Sequence, residues 1–171
     1  MTLTHGLRAG LLATAALLTA APAHAEGCDK IVFSDVGWTD ITATTAVTTT
    51  ILNALGYETE VKVLSVPVTY TGLAEGDIDV FLGNWMPTME ADIAPYRDAG
   101  TVETVRTNLT GAKYTLATNE AGAALGIDDF SKIDANKDAL EGQIYGIEPG
   151  NDGNRLILDM IANDTFGLGD F

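Results

Sequence analysis

Histidine is absent from everything after residue 24: the two in the chain, His5 and His24, both lie in its first 25 residues. Ser-His and Cys-His catalysis and His-ligated metal sites are thereby excluded from the remainder. No G-x-S-x-G nucleophile pattern and no cluster of metal-ligating residues occurs, so neither a catalytic residue nor a metal or other cofactor is expected. Cysteine is represented once, by Cys28. An odd cysteine in an exported protein points to a missing or intermolecular partner, with a tolerated free thiol near a terminus as the alternative. Basic residues are few, 9 Lys and Arg against 24 Asp and Glu for a net charge of −15. That balance argues against nucleic acid and anionic lipid as partners and is compatible with a cationic ligand. Long apolar runs are missing too, except for Ala9 to Ala20. That run is too short to span a bilayer, and nothing later in the chain could embed it in a membrane.

What is present begins with that run. Arg8 ahead of it and Ala23, His24 and Ala25 behind it complete a secretory signal peptide over 1–25, cleaved before Glu26. The product is expected in a bacterial periplasm. No cysteine stands at the cleavage point to carry a lipid anchor.

From residue 30 the pattern alternates between strand and helix. Lys30 to Ser34 reads as a strand, followed by a helix to about Leu55 that stops at Gly56. Its inner face is expected at Ile41, Thr45, Thr48, Ile51 or Leu52, and Leu55, although its many threonines make strand a rival. Glu58 to Val66 reads as a second strand and Pro67 to Glu75 as a second helix. Residues 78–82 read as a third strand, and a helix from Pro87 to about Ala99 is bent near Pro95. A β-α-β-α-β-α order predicts an α/β fold with a parallel sheet covered by helices. Beyond it, Val102 to Val105 and Lys113 to Thr118 read as consecutive strands. Helices are expected at Glu120 to Leu125, Ser131 to Leu140 and Asn154 to Phe166, and a strand at Gln143 to Ile147. The change of pattern places a boundary near 111–113, giving a first α/β lobe over 26–112 and a second, partial one over 113–171. No internal repeat or low-complexity tract interrupts either part.

The chain has two tryptophans. Trp38 follows the first strand, with Asp40 two residues on. Trp85 follows the third, next to Asn84. Ligands of open α/β sheets sit beyond the carboxyl ends of the strands. Two indole faces and a carboxylate there form a receptor for an organic cation, each ring being worth roughly 0.5–2 kcal/mol. The competing readings are plain: each Trp a core residue or a cap on the sheet, Asp40 the N-cap of the following helix. Tyr114 lies just past the boundary and could face back across a crevice. Asn151 lies in a glycine-rich loop before the last helix. Alone, these two read better as a strand residue and a turn residue.

Taken together, the stretches Gly37 to Asp40, Gly83 to Pro87, Ala112 to Tyr114 and Gly146 to Asn154 resemble the periplasmic choline-binding proteins of ABC transporters. These belong to a wider group of quaternary-amine substrate-binding proteins. The resemblance runs in order from 28 to 171. It implies two α/β lobes of the periplasmic-binding-protein type (type II), joined by a hinge and closing over a small-molecule ligand. It also implies delivery to the membrane permease of an ABC transporter. Trp38, Trp85 and Tyr114 match three walls of the family's aromatic box. Asp40 and Asn151 match the acid and the amide associated with the charge and hydroxyl of choline. Family members continue well past Phe171, adding a further box tryptophan and a second cysteine to pair with Cys28, so the chain reads as an incomplete copy. Choline is the expected ligand. Glycine betaine or proline betaine is the nearest rival, disfavoured because a betaine carboxylate would sit beside Asp40. An exported enzyme acting on choline esters is the rival from another class.

Overall fold

The computed structural model describes residues 30–171; the expected signal peptide and Cys28 lie outside the described residues. Three strands form one parallel sheet in the order β2-β1-β3, with β1 Lys30–Asp35 in the centre, β2 Glu58–Val63 on one side and β3 Val80–Phe81 on the other. Phe33 pairs with both Val61 and Val80, which fixes the register of all three. The two crossovers are helical. Helix α1 spans Thr39–Ala54 and α2 spans Val66–Glu75, and α3 Glu90–Asp98 follows β3.

The threonine-rich stretch is helical after all. Several of its hydroxyls donate back along the helix, Thr44 to the Asp40 carbonyl at 2.8 Å, Thr48 to Thr44 at 2.9 Å and Thr50 to Ala46 at 2.7 Å, while the buried Thr45 hydroxyl has no partner. Back-bonding of this kind gives a mid-helix hydroxyl a partner within the helix, so the threonines are accommodated there without leaving it. The buried face is Ile41, Thr45 and Thr49. Ile51 and Leu55, expected inside, are 56% and 70% exposed. Ile51 stands about 100° around the helix from the half-buried Leu52, and Leu55 caps the end, beyond the sheet.

Within the first hundred residues, the differences from the sequence reading fall at turns. Strand β3 is shorter than 78–82, because Asp79 donates its backbone N–H to the Val32 carbonyl while its carboxylate accepts from Val32 N–H at 2.7 Å. Pro87 does not open a helix. It follows a cis peptide bond from Met86 in a turn, and α3 begins only at Glu90 and runs through Pro95 without interruption.

Beyond residue 102 the expected strands are not formed. Among the described residues the sheet has three strands, and 102–105, 113–118 and 143–147 pair with none of them. Val105 stands 87% exposed and Tyr145 85%. At Ile147 the reason is explicit: its N–H donates to Asn154 Oδ1 at 2.9 Å and its carbonyl accepts from Asn154 Nδ2 at 3.1 Å, so one side chain takes the place of a partner strand. Helix α4 is Glu120–Ala124, close to its expected place. The expected helix 131–140 is instead two short 3₁₀ turns, Phe130–Lys132 and Asp134–Asn136, the first capped by the Asp129 side chain. Helix α5 runs Asp152–Ala162, two residues earlier than expected at its start, and Thr165–Asp170 follows as a kinked 3₁₀ segment.

Two separate apolar clusters result. One is Val36, Val66, Tyr70, Met89 and Ile93, all within the first hundred residues. The other is Ile127, Ile133 and Leu168.

Candidate ligand-binding site

In the order β2-β1-β3, the first crossover runs from the central strand to β2 on one side, and the second runs from β2 back across β1 to β3 on the other. The switch point therefore lies between the carboxyl ends of β1 and β3, where a crevice opens in folds of this kind. Trp38 and Trp85 flank it.

Trp38 is delivered by a turn that Asp35 holds. The Asp35 carboxylate, 5% exposed, accepts from Gly37 N–H at 2.8 Å and from the Thr42 hydroxyl at 3.1 Å. Trp38 is thus the residue before α1, extended at φ −79° and ψ 133°, and its carbonyl accepts from Thr42 N–H at 2.8 Å. Trp85 is held by Met89, which is fully buried. Trp85 N–H donates to Met89 Sδ at 3.2 Å, and Trp85 carbonyl accepts from Met89 N–H and the Thr88 hydroxyl, both at 2.9 Å. Both indoles pack against the cluster containing Val66 and Tyr70. Asn84, beside Trp85, turns inward: its Oδ1 accepts from the Tyr70 hydroxyl at 2.8 Å.

The other side comes from residues 114–155. The Tyr114 ring lies 5.8 Å from the Trp85 ring at 45°, a tilted aromatic pair. Its hydroxyl donates to Asn151 Oδ1 at 2.9 Å. The same oxygen accepts from Gly153 N–H at 2.7 Å and so caps α5. Because a backbone N–H can only donate, this contact settles the orientation of the Asn151 amide. Its Nδ2 then faces Glu148, donating to Oε1 at 2.8 Å. Glu148 Oε1 also accepts from Trp38 Nε1–H at 2.8 Å. Asn151 is 3% exposed.

Two glycines allow this approach. A Cβ on Gly153 would meet the Tyr114 hydroxyl at 2.2 Å, and one on Gly150 would meet Pro67 of α2 at 2.9 Å. Further along α5, Arg155 donates to both oxygens of Asp92, at 3.1 and 2.9 Å, and to the Thr88 carbonyl at 3.3 Å.

The field in this crevice is negative. Burial pushes the Tyr114 hydroxyl up from its ordinary pKa, Asp152 and Glu148 push it further, and the Gly153 N–H pulls the other way. Burial likewise raises the Tyr70 hydroxyl, helped by Asp92 and Asp152. Both phenols are therefore neutral donors at physiological pH. Asp152, in the first turn of α5, is 1% exposed, and its Oδ2 has no hydrogen-bond partner. Its charge lies where the helix N-terminus favours an anion.

Four of the five residues singled out from sequence thus converge: Trp38, Trp85, Tyr114 and Asn151. Asp40 does not join them. It is exposed in the first turn of α1, and only its backbone carbonyl is engaged, by Thr44. Asp35, Glu148, Asp152 and the Asp92–Arg155 pair were missed. Glu148 stood within a stretch matched by family resemblance, but nothing in its spacing pointed to a partner 110 residues away.

Residues 29–170 match the family described as the substrate-binding domain of ABC-type glycine betaine transport systems. A protein of Chromohalobacter salexigens, named uncharacterized protein ORF1, is 48% identical over 134 residues, 78% of this chain and 86% of that one. Two solved structures are each 74% identical. One is an ABC-transporter choline binding protein in complex with choline, with a TM-score of 0.79 over 85% of this chain and 50% of that chain. The second is an ABC-transporter choline binding protein in an unliganded semi-closed conformation, with a TM-score of 0.75 over 85% of this chain and 51% of that chain. The chain spans about half the length of these two solved proteins.

Proposed function

Because this chain belongs to the family of substrate-binding domains of ABC-type glycine betaine transport systems, we propose that it captures choline outside the cytoplasm and hands it to the permease of an ABC transporter. The family's extracytoplasmic role is general; export of this chain by residues 1–25 is part of the proposal. Among the described residues no helix is long and apolar enough to cross a membrane.

One observation carries the choice of ligand. Three aromatic rings from three distant stretches, Trp38, Trp85 and Tyr114, converge on one short network made by Glu148 and Asn151. Ring faces attract a methylated ammonium, which offers no hydrogen bonds and loses little on leaving water. One N–H of Asn151 serves Glu148; the other is left for an oxygen of the ligand, the choline hydroxyl. Asp40, exposed at the rim, adds negative field at the entrance. The surrounding acids Glu148 and Asp152 disfavour a betaine carboxylate in the same place. The two apolar clusters support a division near 111–113 into two lobes, with the ligand between them.

Proteins of this family bind substrates for transport rather than convert them. For this chain, the lack of histidine beyond residue 24 supports the same reading. Titration calorimetry with choline and glycine betaine, beside a turnover assay on a choline ester, tests it. Choline should bind more tightly than glycine betaine with no ester hydrolysis. Tighter betaine binding would replace choline as the ligand, and measurable turnover would replace the binding protein with an enzyme.

A further inference from the structure

Tyr70 carries a hydroxyl into the most buried part of the first stretch. It stands on α2 at 1% exposure, its ring stacked on Tyr96 at 6.1 Å and edge-on to Phe81 at 6.0 Å. A phenylalanine would make both ring contacts without burying a polar group, so packing does not explain the hydroxyl. Its partners do. The O–H donates to Asn84 Oδ1 at 2.8 Å and lies 3.6 Å from Met89 Sδ. Asn84 directly precedes Trp85, and Met89 is the residue whose sulfur accepts the Trp85 N–H at 3.2 Å. One hydroxyl therefore meets the turn on both sides of Trp85. Resting on the reading of this crevice as a receptor for a quaternary ammonium, we propose that Tyr70 is a positioning residue for Trp85, its hydroxyl fixing the turn that presents the indole to the ligand.

The turn needs such a tie. Residues 82–89 belong to no strand or helix, since β3 ends at Phe81 and α3 begins at Glu90. Met86 and Pro87 within it are exposed. A ring on a loose turn must be ordered when the ligand binds, and that cost is subtracted from the cation–π attraction. A ring held beforehand keeps the attraction whole. Helix α2 is a firm base for the hold, because Thr69, beside Tyr70, shares a buried 2.6 Å hydroxyl contact with Ser34 of the central strand. Burial, and then the charges of Asp92 and Asp152, keep the proton on the Tyr70 oxygen, so the hydroxyl remains a donor. Asn84 is only half-buried, so its oxygen meets water once the hydroxyl is removed. Removal should therefore loosen the turn rather than leave an unpaired group in the core.

Tyr70→Phe removes the oxygen and keeps the ring. Tyr96→Phe is its control: it deletes the hydroxyl of the other ring in the stack, which meets Thr71 at 3.2 Å and not the Trp85 turn. Choline is titrated into the full chain carrying nitrogen-labelled tryptophan, whose N–H resonances also report weak binding. Trp85→Ala assigns the resonances of Trp85. Tyr70→Phe should weaken choline about fivefold, the scale of ordering one side chain on binding. In the Trp85→Ala background the same substitution should change choline affinity by less than about 1.5-fold, because its effect passes through the indole. Without ligand, Tyr70→Phe should speed hydrogen exchange at the Trp85 backbone N–H about tenfold. Tyr96→Phe should change neither quantity. An unchanged choline affinity in Tyr70→Phe would overturn the inference. So would an equal loss in the Trp85→Ala background or the same loss in Tyr96→Phe, since either makes the hydroxyl a support of the fold at large. A Trp85 N–H that exchanges no faster in ligand-free Tyr70→Phe would overturn it whatever the ligand. Failure of the unmodified protein to bind choline, with that N–H responding as expected, would instead overturn the proposed function.

Discussion

Residues 30–102 and residues 113–171 are built to different standards. The first stretch has a parallel sheet, and Phe33, Val66, Tyr70 and Met89 are buried to 1% exposure or less. Its two contributions to the site, Trp38 and Trp85, stand on turns locked by buried groups, Asp35 and Met89. The second stretch contributes no strand to the sheet among the described residues. Its cluster of Ile127, Ile133 and Leu168 is ringed by half-buried residues, while Leu125, Ile147 and Leu158 stand 47%, 51% and 63% exposed. Yet it supplies Tyr114, Glu148 and Asn151. These are placed by contacts to the first stretch: Glu148 to Trp38, Arg155 to Asp92, Gly150 against Pro67. The difference teaches that one half of this site is preformed by its own core, whereas the other half takes its geometry from docking.

The comparison breaks most sharply in the two cores. Phe33→Ala should destabilise the protein by about 3–5 kcal/mol, because removing a ring that is 1% exposed leaves a cavity under the central strand. Leu168→Ala should cost about 2–3 kcal/mol but act locally. Hydrogen exchange distinguishes them: Phe33→Ala should raise exchange throughout 30–171, Leu168→Ala only beyond residue 113. Loss of protection in β1 on Leu168→Ala would show that the two stretches fold as one cooperative unit.

Next come the walls of the site. Trp85→Ala should weaken choline by about 1–2 kcal/mol, and Trp85→Phe by less, since a smaller ring face remains. Calorimetry decides, and an unchanged affinity in Trp85→Ala would reduce the indole to a cap on the sheet. Because Trp85 is held by Met89 on the preformed side, neither variant should alter exchange in α5.

The docking contact should matter less for binding and more for order. Asp92 is 15% exposed and Arg155 39%, so solvent screening discounts their paired hydrogen bonds to about 1 kcal/mol. Asp92→Asn should weaken choline severalfold while raising exchange in α5 and leaving α1 untouched. Equal exchange in α5 before and after the substitution would mean that this helix does not depend on the pair for its place.

How far the sequence could be read follows the same division. Elements α1, α2 and the first two strands were legible because strand-helix alternation, Gly56 and Gly76 mark them, and the sheet then confirms the pattern. Val102 to Val105, Lys113 to Thr118 and Gln143 to Ile147 looked like strands by residue type. A strand forms only where a partner ladder exists, and none does among the described residues; at Ile147 the Asn154 side chain fills the role instead. Trp38 and Trp85 were visible as site residues because position after a strand is a local property. Tyr114 and Asn151 needed the family resemblance, and Glu148 was not found, since its partner Trp38 is distant in sequence and a glutamate before a proline carries no local signal.

The smallest effect expected is at Asp40, where sequence reasoning had placed the discriminating charge. An acid that touches a ligand and one that only faces the entrance predict different things. A contacting carboxylate would change affinity at any ionic strength, and would shift the ratio of choline to glycine betaine affinity by tenfold or more. An exposed one acts through water: it speeds arrival of a cation and slows arrival of a carboxylate, and salt screens it beyond about 10 Å at 0.1 M. Asp40 is exposed, and its side chain has no hydrogen-bond partner among the described residues. Asp40→Asn should therefore narrow the choline to glycine betaine ratio by less than about threefold, under 1 kcal/mol, mainly through a slower association with choline. Competition binding and stopped-flow at low and high salt measure both quantities. A tenfold change in the ratio, or one that persists at high salt, would put the Asp40 carboxylate in contact with the ligand.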